Sequence, residues 1–201
     1  MFKLRYSSTS PFVRKVRVVA IETGQDKQIE LVKTVTADPT CDIGKDNPLN
    51  KVPALVLEDG SSLYDSHVIC EFLDSRHDGV KMFPATGPAR WNALRREALA
   101  NGMADAGVLR MMETRRPAGE QSPAWIQRQK LKMEQGLDAL EQGAHHFAPV
   151  LDIGLLTVAI VLDYFDFRFG AEPWRDKHPT LAKWHEAISA RPSLKNTLPF
   201  E

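Results

Sequence analysis

Hydrophobic and polar positions change their period several times over the first eighty residues. Apolar and polar residues alternate over residues 2–6, which predicts a strand. Apolar residues then recur at helical spacing over residues 13–20, and Gly24 is a plausible helix stop. Alternation returns over residues 28–32. The pattern therefore opens as strand, helix and strand, which favours a parallel pair joined by a right-handed crossover.

A hairpin follows a loop that contains Asp38-Pro39, Gly44 and Asn47-Pro48. Residues 54–57 form a short apolar run, and Glu58-Asp59-Gly60 predicts the tight turn after it. Residues 61–64 then make the return strand. An amphipathic helix is predicted next, with its apolar stripe at Val68, Ile69, Phe72 and Leu73. The order of elements indicates a mixed α/β domain.

Periodicity fails over residues 80–88, where Pro84, Gly87 and Pro88 interrupt the chain. We therefore predict a first domain over residues 1–79, a linker over 80–88 and a second, all-helical domain over 89–201. The predicted helices cover residues 89–116, a segment opening at Ser122-Pro123, residues 152–169, and a segment ending before Pro192. The third is apolar nearly all round, which predicts that it lies buried at the centre of a bundle.

Composition narrows the classes of partner. The 201 residues carry 26 basic and 26 acidic side chains, so the formal charge is zero. Such a balance argues against a general basic field for nucleic acid. We found no apolar stretch long enough to span a membrane and no apolar core typical of a signal peptide. Two cysteines, Cys41 and Cys70, are a sparse usage that fits a reducing cytoplasm.

Ser10-Pro11-Phe12 opens the first helix directly after the first strand. Serine caps helices, and proline is favoured in their first turn. A capped helix start also offers free N–H donors, a positive dipole end and a hydroxyl, which together suit an anion such as a thiolate. Alone, however, the stretch indicates only a capped helix.

Lys51-Val52-Pro53 precedes the third strand. One interpretation is the start of an edge strand, where proline blocks no ladder bond. The other is a cis peptide bond between Val52 and Pro53, which would expose the backbone of Val52 for pairing with an extended peptide.

Asp65-Ser66 stands where the last strand ends and a helix begins. The plain interpretation is a helix cap. The functional interpretation adds that the helix N–H groups and the Ser66 hydroxyl can hold a carboxylate, while Asp65 can pair with an α-amino group.

In order and spacing, these pieces resemble the glutathione-binding domain of the glutathione S-transferase family. The resemblance rests on Ser10-Pro11-Phe12, Asn47-Pro48, Lys51-Val52-Pro53-Ala54-Leu55 and Asp65-Ser66. Residues 162–168, 179–184 and 190–193 are similar to the last helices of bacterial members, so the resemblance covers essentially the whole chain. It implies an α/β thioredoxin-like N-terminal domain, an all-α C-terminal bundle, and a cytoplasmic homodimer that conjugates glutathione to a small electrophile.

The resemblance also implies roles for individual residues. Lys51, Val52 and Pro53 would line the glutathione site, with the backbone of Val52 contacting the cysteinyl part. Asp65 and Ser66 would bind the γ-glutamyl end. Ser10 would hydrogen-bond the thiolate, with Thr9 as the second candidate, because several serine-type members place their serine one residue earlier. Glutathione is the only co-substrate implied, without a metal.

Two features leave alternatives open. Residue 10 is serine, so the chain lacks there the nucleophile needed for mixed-disulfide exchange. The fold also permits a non-catalytic protein that serves as a binding or stress-response interaction module.

One departure from the family pattern lies in the second domain, where Asp152 can cap the central helix but Leu155 cannot return the reciprocal bond of a capping box.

Overall fold

A computed structural model describes residues 1–147 and 150–201, which divide into two compact units. The first unit comprises residues 1–83 together with 192–201, and the second comprises residues 84–191. The predicted fold class is confirmed, since a mixed sheet with helices is followed by a helical region. The units differ from the predicted division at the C-terminus, because residues 192–201 pack with the first unit.

The sheet of the first unit has four strands in the order β2-β1-β3-β4. Their bounds are Phe2–Tyr6 for β1, Ile29–Lys33 for β2, Ala54–Val56 for β3 and Ser62–Leu63 for β4. β1 and β2 are parallel, while β3 is antiparallel to both of its neighbours. The predicted crossover and hairpin are both present.

Two helices of the first unit, α1 over Pro11–Glu22 and α2 over Ser66–Ser75, pack against each other. The alternation along β1 is amphipathic as predicted, because Phe2 and Leu4 are buried while Lys3 is exposed. The fully buried core is built from apolar side chains of strands and helices alike, among them Leu4, Leu55, Val16, Val19, Ile69 and Leu73.

The second unit is helical. It contains α3 over Gly87–Thr114, α4 over Pro123–Gly143, α5 over Ile153–Phe169 and α6 over Pro179–Ser189. Every residue of α5 from Ile153 to Leu162 is buried, as its continuous apolar pattern predicts. Among the described residues, none of the helices combines the length and the apolar character needed to cross a bilayer.

Two glycines let the helices of the bundle approach closely. A Cβ on Gly107 of α3 would come within 3.1 Å of the Tyr164 ring on α5. A Cβ on Gly136 of α4 would lie 2.5 Å from the Met103 side chain on α3. A larger side chain at Gly136 would require the Met103 side chain to move, and one at Gly107 would press on the aromatic rings of α5.

The C-terminal segment, with α7 over Pro192–Lys195, is fastened to α1 by buried polar contacts. The guanidinium of Arg14 donates to the Leu194 carbonyl at 3.0 Å and to the Thr197 hydroxyl at 3.3 Å. Ser193 donates to the carboxylate of Glu22. Because Arg14 is 4% exposed, these bonds are shielded from water and hold the segment against the helix that begins after Ser10.

Candidate functional site

The strand register places the ends of three strands at one edge of the sheet. Arg5 of β1 pairs with Ala54 of β3, and Leu55 pairs with Leu63 of β4. Carrying both registers onward puts Pro53 level with Tyr6 on one side and with Asp65 on the other. Neighbouring strands lie about 4.8 Å apart. The topology therefore gathers the three predicted segments, at Ser10, at Val52-Pro53 and at Asp65-Ser66, along one edge.

Ser10 is the N-cap of α1, as predicted. Its Oγ accepts the backbone N–H of Val13 at 3.3 Å, and its carbonyl accepts that of Arg14 at 3.0 Å. The side chain is half-buried. A hydroxyl has one proton to donate and two lone pairs to accept with. The cap occupies a lone pair, so it leaves the Ser10 proton available for donation to an anion.

Thr9 is also half-buried, but its hydroxyl is engaged differently. Its Oγ1 lies 3.3 Å from the Oγ of Ser7, and either oxygen can donate. Thr9 makes no capping bond to α1, whose cap is Ser10. The two candidate donors therefore differ in local hydrogen bonding, and that difference separates them experimentally.

The Val52–Pro53 peptide bond is cis, as the motif predicts. Pro53 is buried, Val52 is half-buried and Lys51 is exposed. The segment that precedes β3 thus keeps its proline in the core while Lys51 faces solvent. The Tyr64–Asp65 peptide bond, at the end of β4, is cis as well.

Asn47 holds the loop that carries Lys51. Its side chain, 3% exposed, donates from Nδ2 to the Lys51 carbonyl at 2.9 Å and accepts from the Leu49 N–H at 3.0 Å. Asn50, in the same loop, adopts a left-handed conformation with φ of 53°. One buried amide thus ties together the turn that delivers Val52 to the sheet edge.

Arg5 fixes the other end of that loop. Its guanidinium pairs with Asp42 and lies 3.1 Å from a carboxylate oxygen of Asp46. The hydrogen bond to Asp42 raises the pKa of Arg5 and lowers the pKa of Asp42. Arg5 ends up mostly buried, with its side chain 13% exposed, so residues 42–46 are anchored to β1.

Asp65 caps α2 as predicted. Its Oδ1 accepts the backbone N–H of His67 at 2.9 Å, and its side chain is exposed. Ser66, the first residue of the helix, is 2% exposed. A capping carboxylate beside the free N–H groups of a helix start combines an acceptor for an ammonium group with donors for a carboxylate.

A third group of side chains has the chemistry of metal ligands but lies in the second unit. Potential ligand atoms of Asp163, Asp166 and His185 lie within 4.8 Å of one another. Protein donors already occupy them: Arg175 donates two bonds of 2.6 Å to Asp166, and His185 lies 2.9 Å from Asp163. The Arg175 guanidinium supplies the positive charge that a cation would bring to this group.

Sequence similarity to known proteins shows which family the chain belongs to. The profile of the glutathione S-transferase N-terminal domain matches residues 9–76. The uncharacterized GST-like protein YibF of Escherichia coli (strain K12) is 32% identical over 201 residues, covering 98% of both chains. This chain belongs to the glutathione S-transferase family. The matched domain contains every residue predicted for the glutathione site.

Solved structures of glutathione transferases show the same fold. A glutathione transferase family member from Pseudomonas fluorescens Pf-5, crystallised with bound glutathione, is 39% identical and superposes with a TM-score of 0.95 over 100% of both chains. A crystal structure described for the same organism, with bound S-(propanoic acid)-glutathione, has a TM-score of 0.92 at 39% identity, again over 100% of both chains.

Two residues that position the candidate site in this family member, Asn47 and Arg5, were not predicted to do so. In the sequence, Asn47 stands out only as part of the Asn47-Pro48 pattern, and Arg5 only as a polar position between alternating apolar ones. The partners of Arg5 stand 37 and 41 residues away, beyond any local pattern.

Proposed function

We propose that the protein is a glutathione transferase that conjugates the thiolate of glutathione to small electrophiles. The observation that carries the proposal is the gathering of Ser10, Val52-Pro53 and Asp65-Ser66 at one sheet edge. It is supported by the bound glutathione and S-(propanoic acid)-glutathione in the Pseudomonas fluorescens structures, the second of which carries a substituent on the glutathione sulfur.

Thiolate stabilisation is the chemical task of Ser10 in this proposal. A free cysteine thiol has a pKa of about 8.5 and is mostly protonated at neutral pH. The Ser10 O–H donates to the sulfur, and the start of α1 adds its positive dipole end, so the thiol loses its proton to solvent more readily. The sulfur lone pair then attacks the electrophile, either by addition or with departure of a leaving group. Ser10 keeps its own proton throughout.

Binding of the tripeptide falls to the other predicted residues. The backbone of Val52, beside Lys51 and Pro53, pairs with the cysteinyl part as an added strand. Asp65 binds the α-amino group of the γ-glutamyl end, and Ser66 with the start of α2 binds its carboxylate. Thr9 is the alternative thiolate donor, since it lies next to Ser10 and carries a hydroxyl.

The proposal extends to assembly and compartment. We expect a homodimer, and sedimentation at micromolar concentration should give about twice the chain mass of 22.6 kDa. A single species with the mass of one chain would contradict this. Both cysteines are free, which fits a reducing compartment such as the cytoplasm, and we expect a role in detoxification of electrophiles.

Calorimetry with glutathione, followed by conjugation assays, tests the enzyme proposal. We expect the wild type to bind glutathione and to consume at least one member of a panel of halo-aromatics, enones and peroxides. Asp65→Ala should weaken glutathione binding by about 1.5–3 kcal/mol, the scale of a charged hydrogen bond. Asp59→Ala is a matched control, because Asp59 is an exposed turn residue at the opposite end of the hairpin. Failure to bind glutathione at millimolar concentration would end the proposal.

A further inference from the structure

The chain turns back along α2 after that helix ends. Residues 76–83, the return segment, belong to the first unit, and its last two residues, Met82 and Phe83, are each 5% exposed. Asp74, in the last turn of α2, is 3% exposed. A buried carboxylate needs hydrogen-bond donors around it, so the partners of Asp74 show what it holds in place.

Asp74 binds the end of the return segment through two backbone groups. Its Oδ1 accepts the N–H of Met82 at 2.8 Å, and its Oδ2 accepts the N–H of Phe83 at 3.0 Å. Lys81 donates from Nζ to the Asp74 carbonyl at 2.7 Å, which satisfies one of the last carbonyls of α2. The side chain and the backbone of Asp74 together therefore fix where Phe83 lies.

His77 supplies a third donor to the same carboxylate. Its Nδ1 accepts the N–H of Gly79 at 3.1 Å, so the ring proton is assigned to Nε2. Nε2 lies 3.0 Å from Oδ1 of Asp74 and donates to it. The beginning and the end of the return segment are thus bound to one buried side chain.

The ring of Phe83 contacts the first turn of α2. It meets the His67 ring edge to face, with 5.5 Å between the ring centres and an angle of 78° between the planes. His67 and Asp74 stand seven residues apart, which places them on the same face of the helix, about 10 Å apart along its axis. Phe83 therefore links the last turn of α2, where its backbone is bound, with the first turn.

This contact restrains a part of the helix that would otherwise fray. The first N–H groups of a helix have no partner within it, and terminal turns open at a low free energy. Here the N–H of His67 donates to Oδ1 of Asp65 at 2.9 Å, so the position of His67 sets that of the Asp65 carboxylate. Packing of Phe83 on the His67 ring holds the same turn from a second side.

We propose that Phe83 is a positioning residue for glutathione, an inference that rests on the glutathione binding proposed above. Phe83 acts through His67 and holds the first turn of α2, so that Asp65 and Ser66 are ordered before the γ-glutamyl end arrives. Ordering in advance lowers the entropic cost of binding, so the loss of Phe83 should weaken contacts to that end of the tripeptide alone. Thiolate formation at Ser10, on another helix, should not depend on Phe83.

The test compares two ligands by calorimetry with the whole protein. S-hexylglutathione carries the γ-glutamyl end, whereas S-hexyl-N-butanoylcysteinylglycine has a chain of the same length without the amino and carboxylate groups. The wild type should bind S-hexylglutathione at least about tenfold more tightly than the analogue. Phe83→Leu should weaken binding of S-hexylglutathione by about three- to tenfold and change binding of the analogue by less than about twofold.

Gln25→Ala is the matched control. Gln25 is 4% exposed and donates to the Leu73 carbonyl at 2.8 Å, so its removal disturbs a buried contact at the opposite end of α2. Both affinities should stay within about twofold of the wild-type values. His67→Phe keeps a ring against Phe83 and should retain the affinity. His67→Ala should match Phe83→Leu, and the two losses should not add.

Two further readouts separate positioning from a general loss of stability. With an electrophile that the wild type conjugates, Phe83→Leu should raise KM for glutathione by about three- to tenfold and leave kcat at saturating glutathione unchanged. Without any ligand, the His67 N–H should exchange with solvent at least about threefold faster in Phe83→Leu. The N–H of Thr23, which donates to Val19 at the end of α1, should exchange at the wild-type rate.

Several results would overturn the inference. Equal losses for the two ligands would show that Phe83 serves stability alone, and an unchanged affinity for S-hexylglutathione or an unchanged His67 exchange rate would show that it positions nothing. A wild type that binds neither ligand would refute the proposed function and this inference together. Should Phe83→Leu fail to fold, His67→Ala, at a half-buried position, gives the same comparison.

Discussion

Ser10 caps α1 and Asp152 caps α5, each by accepting the backbone N–H three residues further along the chain. The distances are 3.3 Å to Val13 and 2.9 Å to Leu155. Both caps were predicted from sequence, and both residues have extended backbone conformations. By capping geometry alone, the two helix starts are equivalent.

The surroundings of the two caps differ. The second carboxylate oxygen of Asp152 pairs with Arg96, and a Cβ on Gly154 would lie 2.4 Å from the Ala93 carbonyl. Asp152 is thereby committed to packing α5 against α3. By contrast, one lone pair of the Ser10 hydroxyl accepts the capping bond, and its proton remains available for donation.

A cap by itself therefore does not identify a helix start that binds a ligand. What distinguishes Ser10 is the donor capacity left after capping, and a helix start that follows β1 at the sheet edge where the register sets Pro53 level with Tyr6. Each substitution below alters one helix start or a residue that positions it. Protein stability is measured separately from glutathione binding and thiol ionisation.

Asp152→Ala should have the largest effect on stability. It removes the cap of α5 and leaves Arg96 without its carboxylate, in a region where both side chains are less than one-fifth exposed. We expect a loss of about 3–4 kcal/mol in the free energy of unfolding, measured with urea. The thiol pKa of glutathione bound to the remaining folded protein should not change.

Asp152→Asn is the matched control for that change. Asparagine caps as well as aspartate but carries no charge for Arg96. Asp152→Asn should therefore lose only about half as much free energy of unfolding as Asp152→Ala. An alanine variant as stable as the wild type would show that the α5 start is not held in this way.

Much of the site could be predicted because its residues act over short distances along the chain. Ser10, Val52-Pro53 and Asp65-Ser66 each make a local structure whose partners stand within a few residues. The elements were predicted within about two residues for the same reason. Only the meeting of these segments required long-range pairing, and the strand–helix–strand order and the hairpin already implied it.

The rest depends on contacts between distant positions. Arg14 binds Leu194, and Arg110 binds Glu172, across 180 and 62 residues. Periodicity reports whether a position faces the core, but it does not say which polar side chain meets it there. The packing of the C-terminal segment on α1 therefore had no sequence signal.

Asn47→Ala tests whether the loop before β3 prepares the glutathione site. The change removes the hydrogen bonds to the Lys51 carbonyl and the Leu49 N–H. Glutathione affinity should fall about tenfold, the combined scale of two net hydrogen bonds. Asn50→Gly is the control, because glycine accepts the left-handed conformation that Asn50 adopts. Equal glutathione affinities of the Asn47→Ala protein and the wild type would show that Asn47 does not prepare the glutathione site.

Glu141 holds a third helix start, that of α6, and we expect a smaller loss of stability when it is changed. It reaches from α4 to accept the N–H groups of Thr180 and Leu181 at 3.0 and 2.7 Å, at the start of α6. Burial opposes ionisation, but these bonds prevail and lower the pKa of Glu141. Glu141→Gln should cost about 1 kcal/mol of stability at pH 7.

The pH dependence gives the sign of that effect. A carboxyl whose pKa is lowered by folding stabilises above its unfolded pKa, and this contribution is lost as the pH falls through the folded value. Urea unfolding between about pH 5 and pH 3 should therefore narrow the gap between wild type and Glu141→Gln. A gap that stays constant over this range would contradict the role given to the ionised carboxylate.

The central claim is that Ser10, after capping α1, donates its proton to the glutathione sulfur. The direct measurement is the ultraviolet absorbance of the thiolate in bound glutathione, titrated against pH in the wild type, Ser10→Ala and Thr9→Val. The account predicts a higher thiol pKa in Ser10→Ala, a loss of turnover at neutral pH of about ten- to a thousandfold, and little change for Thr9→Val. A thiol pKa that Thr9→Val raises and Ser10→Ala leaves unchanged would contradict it.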